Sequence, residues 1–301
     1  MQPIEHALSF LAAYQRPSGE LPTLTSRYTS MADARPHPCS IYVTAFVALA
    51  LARLADQPIA SAVQKQACAH LRAERNPAGS WGYEGRATRR VPPDLDDSAL
   101  AQAALVACGE PADLAFFRLL WENEARPGGP YYTWVGVNGQ DHLLARQIDG
   151  LVNANLLYAA TLCRMPLPGT VAYLRDVIAS ASYDHASVYC FTPHLLAFCI
   201  ARAIGAGAVG MAEAAPTLQA YVTSTLLPAA ENPFQLACSV AALAYLGTPA
   251  AKLEPQREAL RAAQLTDGSW PVAASYSGYP PHFDGSPALS TAIAIEGLLE
   301  T

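Results

Sequence analysis

Residues 41–52 read IYVTAFVALALA, and after a break at Asp56-Gln57-Pro58 the chain resumes as PIASAVQKQACAHLRAE over 58–74. The first stretch is apolar on every side apart from Thr44. The second sets Ala60, Val63, Ala67 and Leu71 at three- and four-residue steps among Gln, Lys and Arg. A helix that is apolar all round belongs inside a protein, while one with a single apolar stripe belongs on its flank. Proline just after a short break suits a first helical turn. The pair therefore reads as an inner helix that turns back along an outer one.

The same alternation recurs outward from this pair. LVNANLLYAATL (151–162) and NPFQLACSVAALAYLG (232–247) are again the more apolar partners, and Gly109-Glu110-Pro111 and Gly247-Thr248-Pro249 are again tight breaks. Periodicity predicts twelve helices, over 3–14, 39–54, 58–74, 95–108, 111–124, 147–162, 168–181, 188–204, 214–227, 233–246, 249–264 and 286–300. No run of alternating β-branched residues bounded by turns is found. The expected fold is all-α, an (α/α)6 toroid of six hairpins with the even helices inside, formed by one domain spanning 1–301. Longer segments (15–38, 75–94, 125–146, 265–285) follow odd helices and hold most of the Pro, Gly, Trp and Tyr. They should gather on one rim, where loops on a rigid scaffold commonly carry function.

Composition agrees with a chain that lines something apolar: 51% hydrophobic and 15% charged residues, with a mean hydropathy of +0.14. The net charge of -6 leaves no basic footprint for a phosphate backbone, so nucleic acid is not an expected partner. Residues 1–11 carry Glu5 and His6 and lack the pattern of an export signal. The longest apolar stretch, 41–51, falls short of the ~18 residues of a membrane span. These features predict a soluble, cytoplasmic protein with no transmembrane segment. The seven cysteines (Cys39, Cys68, Cys108, Cys163, Cys190, Cys199 and Cys238) are scattered without a CxxC pair and read as small buried hydrophobes.

The ends of odd helices repeat weakly: LAAYQRPSGEL (11–21), LRAERNPAGSWGY (71–83), LLWENEARPGGPYYTW (119–134) and LRAAQLTDGSW (260–270). Gln264, Gly268 and Trp270 form the clearest copy: an amide to satisfy helix-end carbonyls, a glycine for the turn, and an indole to seal adjacent ends.

Chemistry is concentrated in VPPDLDDSALA (91–101). Asp94 follows two prolines and can cap the helix, and Asp97 three residues later imitates a capping-box partner. The helix dipole would favour all three carboxylates as anions, by roughly 0.3–1 kcal/mol each. Asp96 is surplus to capping and sits at the rim end of an inner helix, which opens a catalytic reading.

NPAGSW (76–81) and QLTDGSW (264–270) are similar to the QW repeats of squalene-hopene cyclases, and DLDD resembles the DxDD signature of class II terpene cyclases. With QIDGLVNANLLYA (147–159) and the closing SPALSTAIAIEGLL (286–299), the chain resembles the terpenoid cyclase and protein prenyltransferase toroids, in particular bacterial single-domain proteins with prenyltransferase and squalene-oxidase-type repeats. The resemblance implies protonation-initiated cyclisation of a linear, small-molecule isoprenoid. Asp96 would be the proton donor, Asp94 and Asp97 would raise its pKa, and neither metal nor cofactor would be needed. It further implies a cavity that stabilises carbocations on aromatic faces. Tyr42, Phe46, Trp81, Tyr83, Trp134 and Tyr276 are the candidates for contacting substrate, with Tyr131, Tyr132 and Phe283 nearby on the rim. Asp149 and Asn153, four apart, would contact the acid or a head group, or satisfy a buried network, with Asn155 pointing elsewhere. His185 or His194 could partner the acid, and Arg86, Arg89 and Arg90 could bind a diphosphate or form a solvated loop.

Two departures from the family stand out: Ser98 occupies a place where hopene cyclases tend to have Thr, and the chain has length for one of the two helical domains that such cyclases generally combine. The absence of a DDxxD run speaks against magnesium-dependent ionisation. Alternatives are a zinc-dependent protein prenyltransferase β-subunit, for which Cys39 and His282 are the candidate ligands; a carbohydrate-active toroid with Asp149 or Asp284 as second carboxylate; and a non-catalytic toroid that binds an isoprenoid or a peptide.

Overall fold

A computed structural model describes residues 3–37, 39–86, 91–137, 146–278 and 282–299. In chain order, α1 is Pro3–Tyr14, α2 Ile41–Ala52, α3 Pro58–Glu74, α4 Leu95–Ala107, α5 Leu114–Glu122 and α6 Gly150–Leu162. They are followed by α7 Pro168–Ala179, α8 Pro193–Gly205, α9 Ala215–Tyr221, α10 Pro233–Tyr245, α11 Ala250–Ala262 and α12 Pro287–Leu298. Each even helix packs on the next even one, and α12 returns to α2, so six inner helices close a ring. The outer helices α3, α5, α7, α9 and α11 each flank the inner helix that precedes them, and α1 flanks α12. The fold is the all-α toroid that the apolar alternation predicts.

Burial follows from that geometry. Every residue of α2 from Ile41 to Leu51 is buried, whereas α11 buries only Leu253, Arg257 and Leu260. Each fully buried Leu or Ile of the ring contributes roughly 1.5–3 kcal/mol.

Two helices, α5 and α6, start three residues later than periodicity suggests, each behind an aspartate cap. Gln147 and Ile148 stay extended, and Asp149 caps α6 by accepting from the amides of Leu151 and Val152. Asp113 caps α5 in the same manner. The helix expected over 214–227 is composite: a 3-10 turn (Ala212–Ala214), α9, and a π turn (Val222–Leu226).

Strands are an addition to the sequence reading. β1 (Leu24–Ser26), β2 (Arg35–Pro36), β3 (Tyr276–Gly278) and β4 (His282–Gly285) form an antiparallel sheet in the order β2-β1-β4-β3. Two to four residues are too few to display an alternating pattern, and the partners come from opposite ends of the chain.

The weak repeat acquires a shared contact. Gln15 Nε2 donates to Gly19 O and Val63 O, as Gln264 Nε2 does to Gly268 O and Pro3 O. The indoles of Trp81 and Trp270 donate to the carbonyls of Leu71 and Leu260, at 2.6 and 2.8 Å. The amides of Leu21, Trp81, Tyr131 and Trp270 each donate to a side chain of the next inner helix: Thr44, Ser98, Asn153 and Thr291, at 2.9–3.2 Å. Each of these four repeats thus satisfies a buried amide while docking onto the ring. Gly268 (φ +91°) admits only glycine here, because a Cβ would collide with the carbonyl of His6.

One cysteine pair departs from expectation: Cys68 of α3 and Cys108, which caps α4, are joined by a disulfide. Cys199 and Cys238 are buried, as read from the sequence. Among the described residues no helix is long and apolar enough to cross a membrane.

Candidate active site

A cavity of about 420 Å³ opens at the rim, between the N-terminus of α4 and the small sheet. A volume of that size falls in the range of small-molecule sites, ~300–1,000 Å³. Its wall on α4 is Asp94, Asp96 and Asp97, its wall on the sheet includes Tyr276, His282 and Asp284, and Tyr42, Tyr83, Trp134 and Tyr189 add aromatic surface. Tyr42 meets Tyr276 edge-on at 4.3 Å between ring centroids, and Trp134 meets Tyr189 in the same way at 5.8 Å.

Backbone pairing fixes the acidic motif. Asp94 lies extended between the backbones of Trp81 and Trp134, and the amide of Leu95 donates to Thr133 O at 2.8 Å. From there the three carboxyls diverge. Asp94 is the N-cap: it accepts from the amide of Asp97 at 2.7 Å and also from those of Asp96 and Tyr83. Burial raises it to about 6 against that support. Asp97 meets the Asp94 carboxyl, and burial followed by the Asp94 charge pushes it well above the ordinary carboxylate range. Burial raises both carboxyls, Asp97 the further, so the pair favours holding a proton, and backbone support on Asp94 biases it toward Asp97. The capping reading therefore holds for Asp94, but not for its neighbours.

Asp96 points across the ring. Its Oδ1 accepts from Asn155 Nδ2 at 2.8 Å, and Asn155 Oδ1 accepts from a terminal nitrogen of Arg202 at 2.9 Å. Arg202 is 1% exposed, and its guanidinium lies 4.5 Å from the ring centroids of both Phe46 and Tyr158. Burial, then the Asp94 charge, drives the Asp96 carboxyl well above its usual range, while Asn155 and Arg202 pull it back. Asp96 is less completely covered than Asp94 or Asp97, and it lines the cavity. Burial thus favours the neutral form of the Asp96 carboxyl, while Asn155 Nδ2 stands as a hydrogen-bond donor to it. With Oδ1 taken by Asn155, the hydrogen belongs on Oδ2.

Of the residues singled out in the sequence, Tyr42, Tyr83, Asp94, Asp96, Asp97, Trp134 and Tyr276 come together in this cavity. Four others serve elsewhere. Trp81 is 1% exposed and holds Leu71 O. Phe46 lies against Arg202. Asn153 docks the third repeat, and Asp149 caps α6 while accepting from Ser187 Oγ and the amide of Val188. Asn155, expected to point elsewhere, is the partner of the acid. The two histidines are not: His194 bonds Thr192 Oγ1 and Leu226 O, and His185 belongs to a turn closed on Ser182. The amide of Arg86 donates to Glu74, and Arg89 and Arg90 lie outside the described residues. Cys39 sits by Gly85 and His282 faces Asp284, and among the described residues no three metal-ligating side chains cluster.

Sequence reasoning missed Arg202, although an arginine inside the apolar run PHLLAFCIARAIG (193–205) demands a buried partner. Its neighbours on the ring are Asn155 and, through charge, the buried Glu296.

The sequence matches no family model and no curated protein. Solved structures do match in fold. The type II terpene cyclase MstE from Scytonema superposes with a TM-score of 0.73 at 18% identity, covering 98% of this chain and 96% of that one. A variant of the same enzyme in complex with geranylgeranyl dihydroxybenzoate, its substrate, gives 0.73 and 18% over 98% and 95% of the two chains. A protein from Actinoplanes gives 0.72 and 17% over 98% and 97%. Over nearly its whole length, the chain shares the fold of these solved structures, MstE among them.

Proposed function

We propose that the protein cyclises a linear isoprenoid by protonating a terminal alkene or epoxide, with Asp96 as the acid. The observation that carries this reading is one carboxyl, its charged form disfavoured by burial, that lines an apolar aromatic cavity and is bonded through Oδ1 to Asn155. In the initiating step the Asp96 Oδ2–H bond breaks: a terminal alkene takes the hydrogen with its π pair at the less substituted carbon, or an epoxide takes it on oxygen as a ring C–O bond opens, and either leaves a tertiary cation. Successive π pairs then form ring bonds as the positive charge moves along the chain. Negative charge appearing on Asp96 is met by the Asn155 amide and, behind it, Arg202. Tyr42, Trp134, Tyr189 and Tyr276 line the cavity, where a migrating cation gains about 0.5–2 kcal/mol from each well-placed ring face. Proton transfer supplies the ionisation by itself.

Single-domain size is compatible with this chemistry, since the MstE chain has the same extent. The substrate class rests on two supports, the apolar cavity and the prenylated substrate in that relative.

The test is incubation of purified protein with a panel of linear prenyl chains, free, as diphosphates and attached to hydroxybenzoates, with EDTA present. Cyclic isomers from the wild type, and none from Asp96→Asn, are expected. Equal product from both would remove Asp96 from the chemistry.

A further inference from the structure

Asp284 lies outside the acidic motif yet lines the same cavity. It is 2% exposed, on a strand held on both sides: β4 pairs with β1 and β3, and the Asp284 carbonyl accepts from the amide and hydroxyl of Ser275 at 2.8 and 3.1 Å. Its two carboxyl oxygens are not equivalent. Oδ2 accepts from the Tyr83 hydroxyl at 2.8 Å and lies 3.3 Å from His282 Nε2. Oδ1 is buried and has no hydrogen-bond partner among the described residues. Tyr83 keeps its hydrogen, because burial and the Asp284 charge push its hydroxyl far above the ordinary range; it serves Asp284 as a donor. What remains is an acceptor oxygen with unused lone pairs, on a rigid strand, beside the rings of Tyr276 and Tyr42.

A cation cascade needs such a group at its end. The last carbocation must lose a proton from an adjacent carbon or be captured by water, and an unpartnered buried carboxylate oxygen is suited to the first. We propose that Asp284 is the base that terminates the reaction, an assignment that rests on the cyclisation reading. The lone pair of Oδ1 takes hydrogen from the carbon next to the final cation, and the C–H electron pair becomes the alkene of the product. One proton leaves Asp96 and one arrives at Asp284 in each turnover, so substrate and product are isomers. His282, whose side chain is 33% exposed, gives the proton a route from Asp284 to solvent. Asp94 and Asp97 are unsuited to the task, since they share a proton between themselves at the initiating end.

The test compares wild type, Asp284→Asn and Asp284→Glu in D2O, with products analysed by mass spectrometry and NMR. Asparagine keeps the shape and can still accept from Tyr83, but it offers no base. Loss of a positioned base slows elimination by about 10²-fold or more, so in Asp284→Asn the wild-type alkene should give way to alcohols and isomeric alkenes. From alkene-terminated substrates these should still carry one deuterium at the carbon that Asp96 protonates, and Asp284→Glu should recover part of the wild-type alkene. An unchanged alkene in Asp284→Asn, or a wild-type product that is itself an alcohol, overturns the assignment while leaving Asp96 as the acid. No cyclic product from wild type overturns the cyclisation reading, and this assignment with it.

Discussion

Replacing Asn155 by alanine should separate the acid from the support for its conjugate base. In the resting protein the 2.8 Å bond from Asn155 Nδ2 reaches a neutral carboxyl; as the proton departs it becomes charge-assisted. A hydrogen bond to a charged group contributes ~1.5–3 kcal/mol against ~0.5–1.5 for a neutral one, so the part realised only in the transition state is about 1–2 kcal/mol. That corresponds to a kcat lower by roughly 5- to 30-fold. The variant also takes the acceptor from buried Arg202, a loss of about 1.5–3 kcal/mol in folding stability. The assays are single-turnover cyclisation across a pH series and urea unfolding of the same preparation. Activity requires the neutral acid and therefore falls as pH rises through the Asp96 pKa. Removing a contribution that lowers this pKa should move the fall to higher pH. A folded Asn155→Ala protein with wild-type kcat and an unmoved pH profile would refute the role of the Asp96–Asn155–Arg202 chain.

Three further outcomes follow from the same geometry. Asp94 is raised from 3.8 to about 6, so it contributes stability that is fully present below about pH 3.8 and lost as pH rises through 6, on the order of 3 kcal/mol. Asp94→Asn keeps a good N-cap and should flatten that part of the stability–pH curve measured by urea midpoints; an unchanged slope would count against the buried carboxyl as its source. Ser98→Ala leaves the amide of Trp81 buried without its acceptor and should cost about 1–3 kcal/mol, whereas Ser98→Thr, which repeats the Thr44 and Thr291 contacts, should stay within about 0.5 kcal/mol of wild type. Tyr42→Leu should keep the fold but lower the cyclisation rate about 2- to 30-fold through lost cation stabilisation, read as kcat at saturating substrate.

The ring was legible in the sequence because its cause is local: a helix surrounded by protein has no polar face, as in 41–52, and a helix on the flank has one, as in 58–74. The acidic motif was legible for a related reason, since capping accounts for Asp94 and leaves Asp96 unexplained. Its partner was not. Asn153 and Asn155 lie two residues apart on a helix buried on all sides, and nothing in their order tells which meets a docking repeat and which meets the acid. The sheet was hidden because β1 and β4 are short and separated by most of the chain, so pairing of Thr25 with Asp284 exists only after the ring closes. The rim position of Trp81 suggests a substrate contact, yet its indole N–H is consumed by a helix end, and of the two readings open for Asp149 its cap bonds fit the buried network.

The central claim is that Asp96 keeps its hydrogen at neutral pH, and infrared difference spectroscopy of wild type minus Asp96→Asn at pH 7 reads it without any substrate. Loss of a carboxylic-acid C=O stretch in the variant is the predicted result. Loss of carboxylate stretches alone would show Asp96 ionised in the resting protein and contradict its role as the initiating acid.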